Sequence, residues 1–134
     1  MYAYGLVFVI TVQVLMCGLR KFSVEDLKCH HVESDSDFTY MKLLPWFWTA
    51  VSNMTEEEKG RLLQFTTGSS LLPHGGFKEL QPIFRITVYN TKGKLPVAHT
   101  CFNEICLSDH RSYESFEKSL RTAIMEGNEG FALL

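Results

Sequence analysis

Hydrophobic positions between residues 43 and 51 recur with the period of an α-helix. In YMKLLPWFWTAVSN, residues 40–53, the apolar stripe has the spacing i, i+3, i+4, i+7, i+8, at Leu43, Trp46, Phe47, Ala50 and Val51. This spacing predicts a helix with one buried face, which the tryptophans help to anchor. Because proline is tolerated only in the first turn of a helix, Pro45 predicts a start near Leu44.

A second helix is predicted in TEEEKGRLLQFTTG, residues 55–68. Thr55 followed three residues later by Glu58 is a capping-box pattern, and the acidic first turn suits the helix dipole. Gly68 is a natural stop. The predicted buried face consists of Leu62, Leu63, Phe65 and Thr66.

After residue 82 the hydrophobic period changes from helical spacing to two. In IFRITVY, residues 83–89, apolar Phe84, Ile86 and Val88 alternate with other side chains, which predicts a half-buried strand. The stretches GSSLLPHGGF, residues 68–77, and NTKGK, residues 90–94, are predicted to be a loop and a turn. CFNEICL, residues 101–107, is predicted to be a short strand with apolar Phe102, Ile105 and Leu107.

The last amphipathic segment is SYESFEKSLRTAIMEG, residues 112–127, and predicts a helix that ends at Gly127. Its inward positions are Tyr113, Phe116, Leu120, Ala123 and Ile124. From residue 38 onward, two helices, a small sheet and a final helix predict the α+β class, with a few helices packed on a short β-sheet.

The pattern before residue 38 is less regular. Ser23 is predicted to cap a short helix through Leu27, and the acidic Ser/Asp cluster that ends near residue 36 is typical of a linker. Residues 1–19 form a hydrophobic run with no Lys or Arg before Arg20. The run fits a buried segment, a membrane or signal segment, or an incorrect or truncated start. Its Val, Ile and Tyr content favours a strand in the first half.

Charge and cysteine content narrow the class of protein. The net charge is −2 with no basic stripe, which argues against electrostatic binding to nucleic acid. A chain of 134 residues fits one domain and can bury a core without disulfides. The four cysteines form no CxxC pair, so we predict a reduced, cytoplasmic protein; they are Cys17, Cys29, Cys101 and Cys106.

Metal and disulfide chemistry are the weaker interpretations of these cysteines. Cys29 is followed by His30 and His31, but adjacent histidines on a strand point to opposite faces. We therefore predict no metal site and no cofactor. A disulfide between Cys101 and Cys106 is disfavoured in a reducing compartment.

Packing and nucleophilic chemistry remain open for Cys101. Cys106 lies inside the predicted strand and is interpreted as a packing residue. Cys101 instead follows LPVAHT at a loop-to-strand junction, where side chains are often presented to partners. A nucleophilic cysteine needs its thiolate, to which His99 could contribute as a base or as a cation, and Thr100 through a hydrogen bond.

The segment LPVAHTCFNEICL, residues 95–107, resembles the active-site segment of HECT-type ubiquitin ligases, which carry a Leu-Pro-x-x-His-Thr-Cys-Phe-Asn pattern. Further segments resemble that family in the same order, from residue 15 to residue 134: LMCG (15–18), WFWTAV (46–51), RLLQFTTGSS (61–70), PHGGF (73–77) and EGFALL (129–134). The details FTTGSS and CFNEICL are most similar to the subfamily named for apoptosis resistance.

This resemblance implies a function for each part of the chain. Residues 37–134 would be the C-terminal lobe (C-lobe), and residues 1–36 a remnant of the N-terminal lobe with a hinge, of which 1–13 match nothing in the family. Cys101 would accept ubiquitin as a thioester from a ubiquitin-conjugating enzyme and transfer it to a substrate lysine. His99, Thr100 and Phe102 match the neighbours of that cysteine, and Phe131 matches a tail phenylalanine used in transfer.

The resemblance also implies what this chain lacks. Most of the first lobe, which holds the conjugating enzyme in the family, is missing, so Met1 is interpreted as the start of a fragment or an incorrect gene start. An alternative function is therefore a non-catalytic ubiquitin-binding module, inactive because truncated. A third is a membrane-anchored thiol protein, if residues 1–19 insert.

Overall fold

The computed structural model describes residues 22–33 and 38–133, with the backbone alone at Phe38, Asn90 and residues 127–133. The described elements confirm the α+β class. In chain order they are α1 (Val24–Cys29), β1 (His31–Glu33), α2 (Phe38–Ser52), α3 (Glu56–Thr67), β2 (Phe84–Lys92), β3 (Val97–His99), β4 (Glu104–Asp109) and α4 (Tyr113–Leu133). Short 3-10 turns cover Gly76–Glu79 and Thr100–Phe102. The interpretations of residues 1–19 and of the linker near residue 36 lie outside the described residues.

The four strands form one mixed sheet in the order β1-β2-β4-β3. The pairs β1–β2 and β2–β4 are parallel, and the edge strand β3 is antiparallel to β4. One face of the sheet lies on the helices and is apolar; its fully buried side chains are Phe84, Ile86, Ile105 and Leu107. We call the opposite face, which carries Arg85, Thr87, Glu104 and Cys106, the outer face.

The predicted start and stop signals of α3 are confirmed. Thr55 accepts a hydrogen bond from the Glu58 backbone N–H, and the Glu58 side chain accepts one from the Thr55 N–H. Gly68 ends the helix in the left-handed region with φ 86°. The predicted inward residues Leu62, Leu63, Phe65 and Thr66 are all buried. Local chemistry was therefore sufficient to place this helix.

The predicted start of α2 is wrong, because the helix begins at Phe38 and contains Pro45 in its interior. An internal proline removes one backbone hydrogen bond and costs about 3 kcal/mol. Tyr40 and Leu43 precede the proline and are 3% and 0% exposed, so their burial offsets that loss. Pro45 itself is exposed, and its carbonyl accepts a hydrogen bond from Thr49 Oγ1 at 2.9 Å.

Three further boundaries differ from the sequence-based predictions. Strand β2 continues to Lys92, so the turn predicted at 90–94 is shorter. Strand β4 begins at Glu104, and Phe102, predicted to lie in that strand, is 61% exposed in the turn before it. Helix α4 continues through Gly127 to Leu133. Glycine ends a helix only where the chain needs a left-handed residue, and the backbone at Gly127 stays helical.

Residues 22–33 pack on the same core as the rest of the described chain. Ser23 caps α1 as predicted, although the helix runs to Cys29 and not only to Leu27. Phe22, Val24 and Leu27 belong to the single hydrophobic cluster of the core. The division at residue 36 between a hinge and a lobe concerns the longer family domain and stays a prediction.

A close contact links α1 to the Gly76–Glu79 turn. The Asp26 carboxylate accepts a hydrogen bond from the Phe77 backbone N–H at 2.9 Å. Gly76 has φ 84°, and a Cβ at this position would lie 2.5 Å from the Asp26 carboxylate oxygen. Only glycine fits this contact, which accounts for the second glycine of PHGGF.

No helix among residues 22–33 and 38–133 combines the length and the hydrophobicity that crossing a bilayer requires.

Candidate functional site

Cys101 lies at the centre of the 3-10 turn Thr100–Phe102, which joins edge strand β3 to β4. We call this turn the cysteine turn. The Cys101 side chain is exposed, and Phe102 beside it is 61% exposed. The short hairpin therefore presents the thiol at one end of the sheet, where a macromolecule could reach it.

Asn103 anchors the cysteine turn to the rest of the fold. Its backbone is in the left-handed region with φ 51° and ψ 46°, and its N–H donates to the Thr100 carbonyl. Its side-chain amide donates to the Pro82 carbonyl at 2.6 Å, and its own carbonyl accepts from the Arg85 N–H at 2.9 Å. The side chain is only 5% exposed. One buried residue thus ties the turn to β2 and to the segment before it.

Replacing Asn103 by alanine is expected to destabilise the fold by about 2–3 kcal/mol, measured by urea unfolding. The substitution removes the side-chain hydrogen bond to the Pro82 carbonyl. It also places alanine, which has a Cβ and no polar side chain, in the left-handed region of the backbone. Asn103→Gly is the matched control, because glycine accepts the backbone conformation and loses only the amide. It should be about 1 kcal/mol less destabilising than alanine. Equal losses would show that the backbone conformation contributes nothing.

Thr100 contacts the end of α3. A Cβ built on Gly68 would lie 3.8 Å from the Thr100 Cβ, so the glycine that ends the helix lies directly beside the cysteine turn. Thr100 is half-buried, in contrast to the exposed Cys101. The stop signal of α3 and the cysteine turn, which are far apart in sequence, therefore form one packed unit.

His99 is the last residue of β3 and lies opposite Glu104 of β4. Its imidazole is exposed and points to the outer face, where its ring nitrogen, a Glu104 carboxylate oxygen and the Cys106 sulfur all lie within 4.8 Å of one another. The predicted residues His99, Thr100 and Cys101 are thus consecutive on one hairpin. Phe131 lies in the helical backbone of α4, and its side chain is outside the described part of the chain.

Cys106 contrasts with Cys101 in its surroundings, because it lies inside strand β4, as predicted, and is buried. Its side chain is 8% exposed, and its sulfur accepts a hydrogen bond from Thr87 Oγ1 at 3.0 Å. Burial raises the pKa of the Cys106 thiol, the Thr87 hydrogen bond opposes this, and the nearby Glu104 charge raises it further. The buried thiol is therefore a poor nucleophile, whereas Cys101 is accessible.

A shallow pocket of about 280 Å³ lies beside Phe102. It is lined by Pro82, Ile83, Arg85, Phe102 and Glu104. No pattern along the sequence indicates this pocket, because only the register of β2 against β4 brings Arg85 next to Glu104. Asn103 was also missed as a site residue, although an asparagine after a tight turn is a recognisable signal for a left-handed residue.

The Cys101 site can be interpreted by comparing this chain with proteins of known class. A family described as HECT-domain (ubiquitin-transferase) matches residues 7–134. Human apoptosis-resistant E3 ubiquitin protein ligase 1 is 50% identical over 91% of this chain. E3 ubiquitin-protein ligase Nedd-4 of Drosophila melanogaster is 37% identical over 90% of it, and E3 ubiquitin-protein ligase ptr1 of Schizosaccharomyces pombe 38% over 89%. The chain spans only 15%, 12% and 4% of these three relatives, respectively.

Proposed function

This chain belongs to the HECT-domain family of ubiquitin transferases, and from that premise we propose that Cys101 accepts ubiquitin as a thioester and passes it to a substrate lysine. The single observation that carries this proposal is the position of Cys101, which is exposed at the centre of the cysteine turn. The corresponding segment of the sequence resembles the active-site segment of the family. The proposed partners are ubiquitin, a ubiquitin-conjugating enzyme and a protein substrate, in the cytoplasm.

The first proposed step is an exchange of thioesters. The Cys101 thiolate attacks the carbonyl carbon at the C-terminus of ubiquitin, which is held as a thioester on the cysteine of the conjugating enzyme. The new C–S bond forms, the bond to the conjugating enzyme breaks, and that cysteine leaves as a thiolate. This chemistry needs an accessible thiolate, and no metal or catalytic triad is required. His99, directly before the turn, is the proposed group that receives the Cys101 proton.

The second proposed step transfers ubiquitin to an amine. A neutral lysine attacks the thioester carbonyl, an amide bond forms and Cys101 leaves as a thiolate. Because the pKa of a free lysine is about 10.4, a base near the site must take its proton. Carboxylates in the last part of the given sequence are the candidates: Glu126 and Glu129. Thr100 is proposed to hold the turn through its contact with the end of α3.

A charging assay tests the proposal. The purified chain is mixed with ubiquitin, activating enzyme, a conjugating enzyme and ATP, and separated on a gel with and without reducing agent. We expect an adduct of one ubiquitin that reducing agent removes, mapped to Cys101 by peptide mass analysis. Loading should rise with the concentration of charged conjugating enzyme. Ubiquitin bound only non-covalently would favour the alternative of a binding module, and an adduct on Cys29 would contradict the assignment of Cys101.

Phe131→Ala is expected to slow transfer of ubiquitin from Cys101 to lysine while leaving the fold intact. The expectation depends on the resemblance of EGFALL to the family tail. Single-turnover discharge of the loaded chain onto free lysine measures the rate. Met125→Ala, an exposed apolar change on the same helix, is the matched control and should discharge at the normal rate. Unchanged discharge in Phe131→Ala would remove Phe131 from the site.

A further inference from the structure

The outer face of the sheet brings together three different metal-binding side chains. Glu104 and Cys106 are two residues apart on β4 and therefore point to the same face. In the antiparallel register, His99 lies opposite Glu104, and Val97 lies opposite Cys106. The imidazole can therefore meet both the carboxylate directly across and the thiol on the diagonal.

The donor atoms are close enough to share one ion. One ring nitrogen of His99, one carboxylate oxygen of Glu104 and the Cys106 sulfur lie within 4.8 Å of one another. Tetrahedral zinc holds nitrogen and oxygen at about 2.0–2.2 Å and sulfur at about 2.3 Å, so its ligand atoms lie about 3.3–3.8 Å apart. Because the His99 side chain is exposed, its imidazole can rotate toward the other two donor atoms.

We propose that His99, Glu104 and Cys106 form a binding site for a single zinc-class divalent cation on the outer face. One nitrogen, one oxygen and one sulfur are the ligand types that Zn²⁺ accepts, and three protein ligands leave a fourth position open to water. On binding, the Cys106 thiol proton leaves to solvent, and the thiolate and the Glu104 carboxylate balance the charge of the ion. The site shares His99 with the chemistry proposed for Cys101, so an ion bound there would withhold that imidazole from the Cys101 proton. Metal binding itself is measured without ubiquitin transfer.

Two neighbouring side chains should change the affinity of this site for a cation in opposite directions. Thr87 Oγ1 donates a hydrogen bond to the Cys106 sulfur at 3.0 Å. Thr87 would therefore hold this ligand in position without binding the ion itself. Arg85 of β2 lies opposite Glu104 in the register, and its positive charge opposes a cation there. A true metal site should therefore weaken without Thr87 and strengthen without Arg85.

The other histidine–cysteine cluster in the described residues is arranged differently. The His30 ring nitrogen Nδ1 is hydrogen-bonded to Asp26 at 3.0 Å. His31 uses Nδ1 on the Leu27 carbonyl and Nε2 on Glu33. With both His31 nitrogens engaged and Cys29 at the exposed end of α1, we place the site on the outer face instead.

Cobalt titration of the reduced full-length chain tests the proposal. Co²⁺ bound to a thiolate gives a near-ultraviolet charge-transfer band, and we expect one Co²⁺ per chain, displaced by Zn²⁺. The band should disappear in Cys106→Ala and remain in Cys29→Ala and Cys101→Ala. His99→Ala and Glu104→Gln should weaken binding by at least about tenfold, since loss of outer-shell partners alone has that effect. Arg85→Ala should tighten it.

Several outcomes would overturn this site. They are the absence of a band, a band lost in Cys29→Ala or Cys101→Ala, and binding unaffected by Glu104→Gln. Because Cys106 is buried, its variant is checked by circular dichroism. If Cys106→Ala does not fold, the test uses Glu104→Gln, which should weaken Co²⁺ binding, and Arg85→Ala, which should tighten it. Glu104 is partly exposed and Arg85 is exposed, so both variants should fold.

Discussion

Cys101→Ser is expected to convert the reducible ubiquitin adduct into one that survives reducing agent, and Cys101→Ala to abolish it. A serine hydroxyl can form an ester with the C-terminus of ubiquitin, although much more slowly, because an alcohol is a weaker nucleophile than a thiolate. An oxygen ester is not cleaved by thiols. Neither substitution should lower stability measurably, because the Cys101 side chain is exposed in its turn.

Cys29→Ala is the matched control for this pair, since Cys29 is the other exposed cysteine of the described chain. It should load ubiquitin at the normal rate. Gel analysis with and without reducing agent distinguishes the two kinds of adduct, and thermal unfolding verifies the fold of each variant. A reducible adduct that persists in Cys101→Ala would place the nucleophile on another cysteine.

A chain that begins at residue 37 is expected to lose cooperative folding. It lacks the core residues Phe22, Val24 and Leu27, and burial of three such side chains contributes about 5 kcal/mol or more. It also lacks strand β1 and the hydrogen bond from the Phe77 N–H to Asp26. Small domains are stable by only about 5–15 kcal/mol, so a loss of this size removes most or all of the stability.

Urea unfolding followed by tryptophan fluorescence measures this loss, because Trp46 and Trp48 are half-buried against the core. Leu27→Ala in the full chain provides a graded comparison and should cost about 2–5 kcal/mol, since Leu27 is completely buried. Cys29→Ala changes an exposed residue of the same helix and should lower the free energy of unfolding by less than about 0.5 kcal/mol. A cooperative transition of normal midpoint in the shortened chain would show that the lobe starts at residue 37.

Elements with local signals could be predicted from the sequence. The capping box of Thr55 and Glu58 and the left-handed Gly68 define α3 without reference to the rest of the chain. The alternation of Phe84 and Ile86 with Arg85 likewise predicts which face of β2 is buried. These features depend on neighbours along the chain, and such signals are visible in a single sequence.

Features that depend on tertiary contacts could not be predicted. Pro45 stays inside α2 because distant core residues bury Tyr40 and Leu43. Strand β3 has only three residues at a sheet edge and exposes the apolar Val97, so its hydrophobic pattern does not indicate a strand. Its existence is set by pairing with β4.

The candidate site divides in the same way. The exposed position of Cys101 next to a strand was predicted from its place after LPVAHT. The bond from Asn103 to the Pro82 carbonyl and the convergence of His99 on Cys106 were not. Both require a register between strands, and register cannot be derived before β3 is known.

The order of the strands has a consequence for how the chain folds during synthesis. His31 of β1 pairs with Phe84 of β2, so β1 stays unpaired on the ribosome until the chain has grown past β2. Strand β2 in turn waits for β4, because parallel partners are joined only through long connections. Among the described strands, the only local pair is β3–β4, and its connection is the cysteine turn followed by Asn103. The Cys101 hairpin is therefore synthesised after β1 and β2, and the pairing of its strand β4 with β2 completes the sheet.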